Sequence, residues 1–113
     1  MQEAFPEEAV GAWVGREYVE RAVPLKNVAE DPRTAYRADP EGLLKLLREL
    51  DRKGLRVMAF YHSHPRGLAF YSGRDVLEAR WPVPYVIFGL KEGRARAFLL
   101  PEGKEVPLEV IAP

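Results

Sequence analysis

The chain has 113 residues, 47% hydrophobic and 30% charged, the balance of one ordinary globular domain with a single core. Seventeen basic and seventeen acidic side chains cancel, so the one-signed field of a nucleic-acid or anionic-membrane binder is missing and neither partner is expected. Cysteine is absent, which excludes disulfides and thiolate sites: any metal must be held by imidazole and carboxylate groups.

No apolar run approaches the roughly 20 residues of a membrane span, and Met1-Gln-Glu-Ala-Phe-Pro6 lacks the basic and apolar segments of a signal peptide. The expectation is a cytoplasmic protein folded as one domain over residues 1–113, without internal repeats or a Gly/Ser-rich linker. In chain order, Pro6 to Ala9 reads as a short helical turn and Val10 to Val14 as a strand. Tyr18 to Leu25 reads as a second strand, antiparallel to the first across Gly15-Arg16-Glu17. Asn27 to Thr34, with Asp31-Pro32, reads as loop.

Asp39-Pro40-Glu41 has the form of an N-cap followed by proline at the first helical position, and Leu43, Leu46, Leu47 and Leu50 recur at helical spacing. The opposite face carries Glu41, Lys45, Glu49 and Lys53 as a solvated stripe, and Gly54 supplies the stop. Leu55 to His62 is apolar on both alternating faces, as in a strand buried within a sheet. Pro65 to Tyr71 reads as loop, Ser72 as an N-cap, and Arg74 to Arg80 as a short helix ending before Trp81-Pro82. Pro84 to Leu90, Arg94 to Leu100 and Val106 to Val110 read as strands, which makes the fold class α/β: a mixed central sheet flanked by helices.

Both histidines, His62 and His64, and both serines, Ser63 and Ser72, fall within eleven positions. Residues two apart on a strand share a face, so His62 and His64 present their imidazoles side by side while Ser63 points away. Pro65, with no N–H to donate, ends the strand and leaves the histidines at a rim. Asp75, from the first turn of the next helix, can complete a three-ligand zinc site with a fourth position open. On spacing alone, a metal site and an ordinary pair of strand-end histidines remain equally admissible. Asp75 also serves as a dipole-complementing carboxylate, and Ser72 reads first as its N-cap. Hydrolysis at such a metal needs a general base as well. Glu3, Glu7, Glu8, Glu17, Glu20 and Glu78 are all open candidates by chemistry.

His62-Ser-His-Pro65, six residues, Ser72, two residues and Asp75 resemble the signature of the JAMM (MPN+) metalloprotease family. Pro6-Glu7-Glu8-Ala9-Val10-Gly11 is similar to an N-terminal element of its prokaryotic members, and the stretches Asn27 to Arg33, Tyr36 to Pro40 and Pro84 to Phe88 fit as well. The similarity runs from about Ala4 to Leu100. Val10 stands where the family usually has cysteine and Gly89 where serine is common; neither is a ligand position. The resemblance implies the cytidine-deaminase-like α/β JAMM fold of a compact, stand-alone prokaryotic type. It also implies Zn²⁺ held by His62, His64 and Asp75, Glu8 as acid/base, and Ser72 as a hydrogen-bond donor to the oxyanion. The implied substrate is an amide bond at the C-terminal tail of a ubiquitin-like or sulfur-carrier protein, cleaved as an isopeptide or to release an amino acid such as cysteine. The loop from Arg66 to Tyr71 is a candidate wall for that tail. The alternatives are a non-catalytic scaffold module and an amidohydrolase of small peptides.

Overall fold

A computed structural model describes residues 7–109. Its elements are β1 (Val10–Gly15), β2 (Val19–Leu25), α1 (Pro40–Lys53), β3 (Arg56–His64), α2 (Gly73–Glu78), β4 (Tyr85–Gly89), β5 (Arg94–Leu99) and β6 (Lys104–Val106). The strands form one six-stranded sheet in the order β2-β1-β3-β4-β5-β6. Only β3 and β4 run parallel, joined by the crossover that contains α2; the other neighbours are antiparallel. None of the described helices is long and apolar enough to cross a membrane.

The expected helix forms as its local signals dictate. The Asp39 side chain accepts from the Glu41 N–H, Pro40 opens the helix, and Gly54 closes it in the left-handed conformation at φ 70°. Leu46 and Leu50 then pack against the sheet face formed by Ala12, Val14, Val57, Phe60, Tyr85, Ile87 and Phe98. Val76 of α2 and Ala79, its C-cap, pack on the same face. The opposite face, built from Ala59, Tyr61, Val86 and Ala97 with Trp13, Phe88 and Val106, receives no helix from the described residues. A bulge opposite Trp13 and Val14 adds Met58 to β3, which turns Val57 to the same side as Phe60 and His62.

Three boundaries differ from expectation. Pro6 lies outside the described residues, and residues 7–9 are not helical: the Glu8 N–H bonds to the Pro32 carbonyl at 2.6 Å and the Ala9 N–H to Ser63 Oγ at 2.7 Å, so neither serves a helical turn. α2 stops at Glu78, because the N–H groups of Arg80 and Trp81 both bond to the Tyr85 hydroxyl at 3.0 Å. The last strand lies earlier than Val106 to Val110. The turn at Gly103 (φ 82°) sends the chain back at Lys104, and Pro107 brings no N–H to continue the ladder; Val110 lies outside the described residues.

Leu50 is 1% exposed and anchors α1 to the sheet. Leu50→Ala is expected to lower stability by about 2–5 kcal/mol in a denaturant melt. A loss under about 1 kcal/mol would mean that α1 is not held here.

Candidate metal centre

The centre lies at the carboxyl end of β3, beside its parallel neighbour β4 and the crossover between them, the position at which α/β sheets receive ligands. His62 sits between Val10 of β1 and Ile87 of β4 in the pairing register and is 1% exposed. His64, two residues on, shares its face at the strand end, as the period of two requires. Their Nε2 atoms are 3.2 Å apart.

The crossover returns Asp75 to this point. Ser72 caps α2 reciprocally: its Oγ accepts from the Asp75 N–H at 3.1 Å, and its own N–H donates to Asp75 Oδ2 at 2.8 Å. The cap fixes the carboxylate so that Oδ1 lies 3.1 Å from His62 Nε2 and Oδ2 lies 3.1 Å from His64 Nε2. The helix-cap reading of Ser72 therefore holds. Because Oγ is an acceptor in the cap, its O–H remains able to donate.

Glu8 approaches from the segment before β1. Its carboxylate and the two imidazoles offer ligand atoms that all lie within 4.8 Å of one another. Glu8 is 7% exposed, and burial pushes its pKa up to about 7, with the Asp75 charge adding to the rise while His64 and Arg74 oppose it. Burial lowers the His62 value against the pull of Asp75. For His64 burial acts in the same sense, but the hydrogen bond and charge of Asp75 outweigh it and the value is raised. Burial also works to raise Asp75, yet the two imidazoles and the Ser72 N–H hold it well below the usual carboxylate range.

This donor set fits a metal ion. Bonds of about 2.0–2.1 Å to two ligands at a tetrahedral angle imply a ligand–ligand edge of about 3.3 Å. The Nε2···Nε2 separation of 3.2 Å, and that of 3.1 Å from each imidazole to its own Asp75 oxygen, Oδ1 for His62 and Oδ2 for His64, lie near that edge. His64 Nδ1 donates to the Leu68 carbonyl at 3.1 Å, so that loss of the Nε2 proton leaves that nitrogen's lone pair toward the shared point. Two imidazole nitrogens, once deprotonated, and an ionised carboxylate are donors that a divalent cation satisfies.

Several contributors carry no sequence signal of their own. Leu68 acts through its backbone carbonyl. Gly89 is needed because a Cβ there would collide with the backbone of Leu68 and Ala69. The Tyr36 ring stacks on His62, with centroids 4.1 Å apart and planes at 18°. Ser63 behaves as its outward direction suggests: fully buried, it accepts from the Ala9 N–H while its own N–H bonds to the Ala9 carbonyl at 3.0 Å. In the candidate loop wall, Leu68 and Phe70 are exposed, and the Arg96 guanidinium lies over Phe70 at 5.4 Å.

Residues 1–100 match the family described as prokaryotic homologs of the JAB domain. A protein of Thermus thermophilus named a probable TtuB-protein conjugate cleaving protease is 60% identical over 106 residues, which is 94% of this chain and 70% of that protein. A desampylase of Haloferax volcanii is 35% identical over 81% of this chain and 68% of its own length. A solved structure from Desulfitobacterium hafniense, 30% identical, covers 93% of this chain and 79% of its own with a TM-score of 0.81. The chain belongs to the prokaryotic JAB-domain family, and its α/β sheet is the fold that the JAMM resemblance implies. It is a hydrolase of that family.

Gly89→Ala is expected to push the Leu68 carbonyl off His64 Nδ1. Loss of such an outer partner typically costs about 10- to 100-fold in metal affinity. Competition with a chromogenic chelator measures it, and unchanged affinity would show that the Leu68 carbonyl does not orient His64.

Proposed function

We propose that residues 1–113 form one cytoplasmic JAMM domain that hydrolyses, with Zn²⁺, an amide bond at the C-terminal tail of a ubiquitin-like or sulfur-carrier protein. His62, His64 and Asp75 hold the metal, Glu8 is the acid/base and Ser72 the oxyanion donor. The observation that carries this reading is the place of Glu8. Its carboxylate is within reach of both imidazoles yet belongs to neither of the 3.1 Å contacts made by Asp75, and burial raises its proton affinity. A buried carboxylate so placed, its proton affinity drawn back by a neighbouring cation, can take a proton and return it. Two imidazoles and a carboxylate, with no thiolate in the chain, are donors that would suit zinc.

When bound there, zinc would supply a Lewis acid that polarises the scissile carbonyl and makes water nucleophilic near neutral pH. Glu8 accepts a proton from the attacking water as the new C–O bond forms. The carbonyl oxygen gains negative charge, and the Ser72 hydroxyl, held in place by its cap, donates to it. One such donor is worth about 3 kcal/mol in comparable sites. As the C–N bond breaks, Glu8 returns the proton to the leaving amine, which departs neutral, and the carboxylic acid product remains. The Thermus relative is named for cleaving TtuB-protein conjugates, and the same substrate class carried to this chain means a carrier tail joined to an amine. An extended tail suits the rim between the 66–71 loop and α2, where Leu68 and Phe70 are exposed.

Glu8→Gln is expected to keep one zinc per chain by elemental analysis and to lose about 100-fold or more of kcat, within the range of general-base catalysis. The assay is mass spectrometry of carrier proteins conjugated through a Gly-Gly tail, with and without chelator. Turnover that survives both zinc removal and Glu8→Gln would sink the mechanism. The pH dependence has a definite sign. Glu8 works as a base only when ionised, so kcat/KM rises as pH climbs through its pKa. That value is about 7 without metal, and a bound cation draws it down toward the ordinary 4.5. The acidic limb of the profile should therefore have its midpoint between these values; a limb above pH 7 would point to another base.

A further inference from the structure

Asn27 is the sole asparagine of the chain, and it uses the full hydrogen-bonding capacity of its carboxamide. Nδ2 donates to the Glu8 carbonyl at 2.9 Å and to the Ala35 carbonyl at 3.1 Å; Oδ1 accepts from the N–H groups of Ala29 and Arg37, each at 3.0 Å. An amide has two donors and two acceptor positions, so none is left over. Its orientation is unambiguous, because exchanging O and N would set an oxygen against two carbonyls. The backbone of Asn27 also bridges to Ala38.

These bonds turn the 27–38 segment into a bracket around the metal centre. Glu8 is gripped on both sides of its α-carbon: its carbonyl by Asn27 Nδ2 and its N–H by the Pro32 carbonyl at 2.6 Å. Ala9 is gripped likewise by Ser63, the residue between the two histidines. The second donor of Asn27 holds Ala35, which is buried and precedes Tyr36, whose ring lies on His62. Glu8 belongs to no strand or helix, so no ladder fixes its direction, and these contacts supply what a ladder would.

We propose that Asn27 is a positioning residue for hydrolysis: by fixing the Glu8 main chain it aims the Glu8 carboxylate at the water to be activated. The proposal rests on the acid/base reading of Glu8 given above. Displacement of about 1 Å in a catalytic group can cost on the order of 100-fold in rate, whereas the amide's own bonds all go to backbone groups and none to His62, His64 or Asp75.

Asn27→Asp tests it. The variant keeps the acceptors for Ala29 and Arg37 but turns oxygen lone pairs toward the carbonyls of Glu8 and Ala35. On zinc-loaded protein with native circular dichroism, kcat is expected to fall about 10- to 100-fold with KM unchanged within about twofold. Asn27→Ala, which removes the donors without adding repulsion, should give a smaller loss of the same kind. In a Glu8→Gln background the Asn27 substitutions should add nothing further, as groups acting as one unit are not additive. Wild-type kcat in Asn27→Asp, while Glu8→Gln is inactive, overturns the role of Asn27 and leaves the function intact. So does a loss that tracks zinc content, a rise in KM alone, or failure of both variants to fold, each of which marks a merely structural residue. An active Glu8→Gln instead overturns the acid/base reading itself.

Discussion

One carboxylate, that of Asp75, holds the centre together. It faces an imidazole with each oxygen, and one of those oxygens also closes the cap of α2 through the Ser72 N–H. The short helix has only six residues and little stability of its own, so the cap and the centre support one another. A carboxylate so placed remains ionised despite burial, since its hydrogen-bond donors repay the loss of water.

Burial of polar groups elsewhere in the described chain is sparse in a way that defines this region. The buried polar side chains are Glu8, His62, Ser63 and Asp75, and all four meet at the carboxyl end of β3. Three of them have identifiable side-chain partners: Ser63 holds Ala9, Asp75 the imidazoles and the helix cap, His62 Asp75 and the Tyr36 ring. Glu8 alone keeps its high proton affinity, because burial acts on it without a hydrogen-bonded cation to offset the cost. A mixed set of opposed shifts, one acid raised and one depressed beside the same pair of imidazoles, is the pattern by which neighbouring carboxylates take different roles.

How far the sequence reveals this depends on the range of the interactions. α1 is legible to the residue, since cap, proline, leucine spacing and terminal glycine all lie within fifteen or so positions of one another. β3 and its histidines are legible because an apolar run ending at proline announces a buried strand. The end of the chain is not, because β6 takes its register from the turn at Gly103 rather than from its own side chains. Glu8 cannot be singled out from the other glutamates by chemistry; only the family pattern points to it, since its environment is assembled across a separation of 54 residues between Ala9 and Ser63. Leu68 acts through its carbonyl and Gly89 through the side chain it lacks, and neither leaves a mark on residue type that chemistry alone can read.

The protonation balance of the centre also couples metal, fold and pH. Burial works to lower the proton affinity of His64, but the hydrogen bond and charge of Asp75 raise it, so a cation seated there would compete with a proton. Occupancy of the centre therefore improves as pH rises through the His64 range. A cation bound there would also favour the ionised form of Glu8. A ligand that binds only the folded arrangement adds to its stability by mass action. The segments it would join are the residues before β1, which no ladder holds, the ladder-paired end of β3 and the first turn of α2. A bound cation would thus tie the unladdered residues before β1 and the short α2 to the sheet.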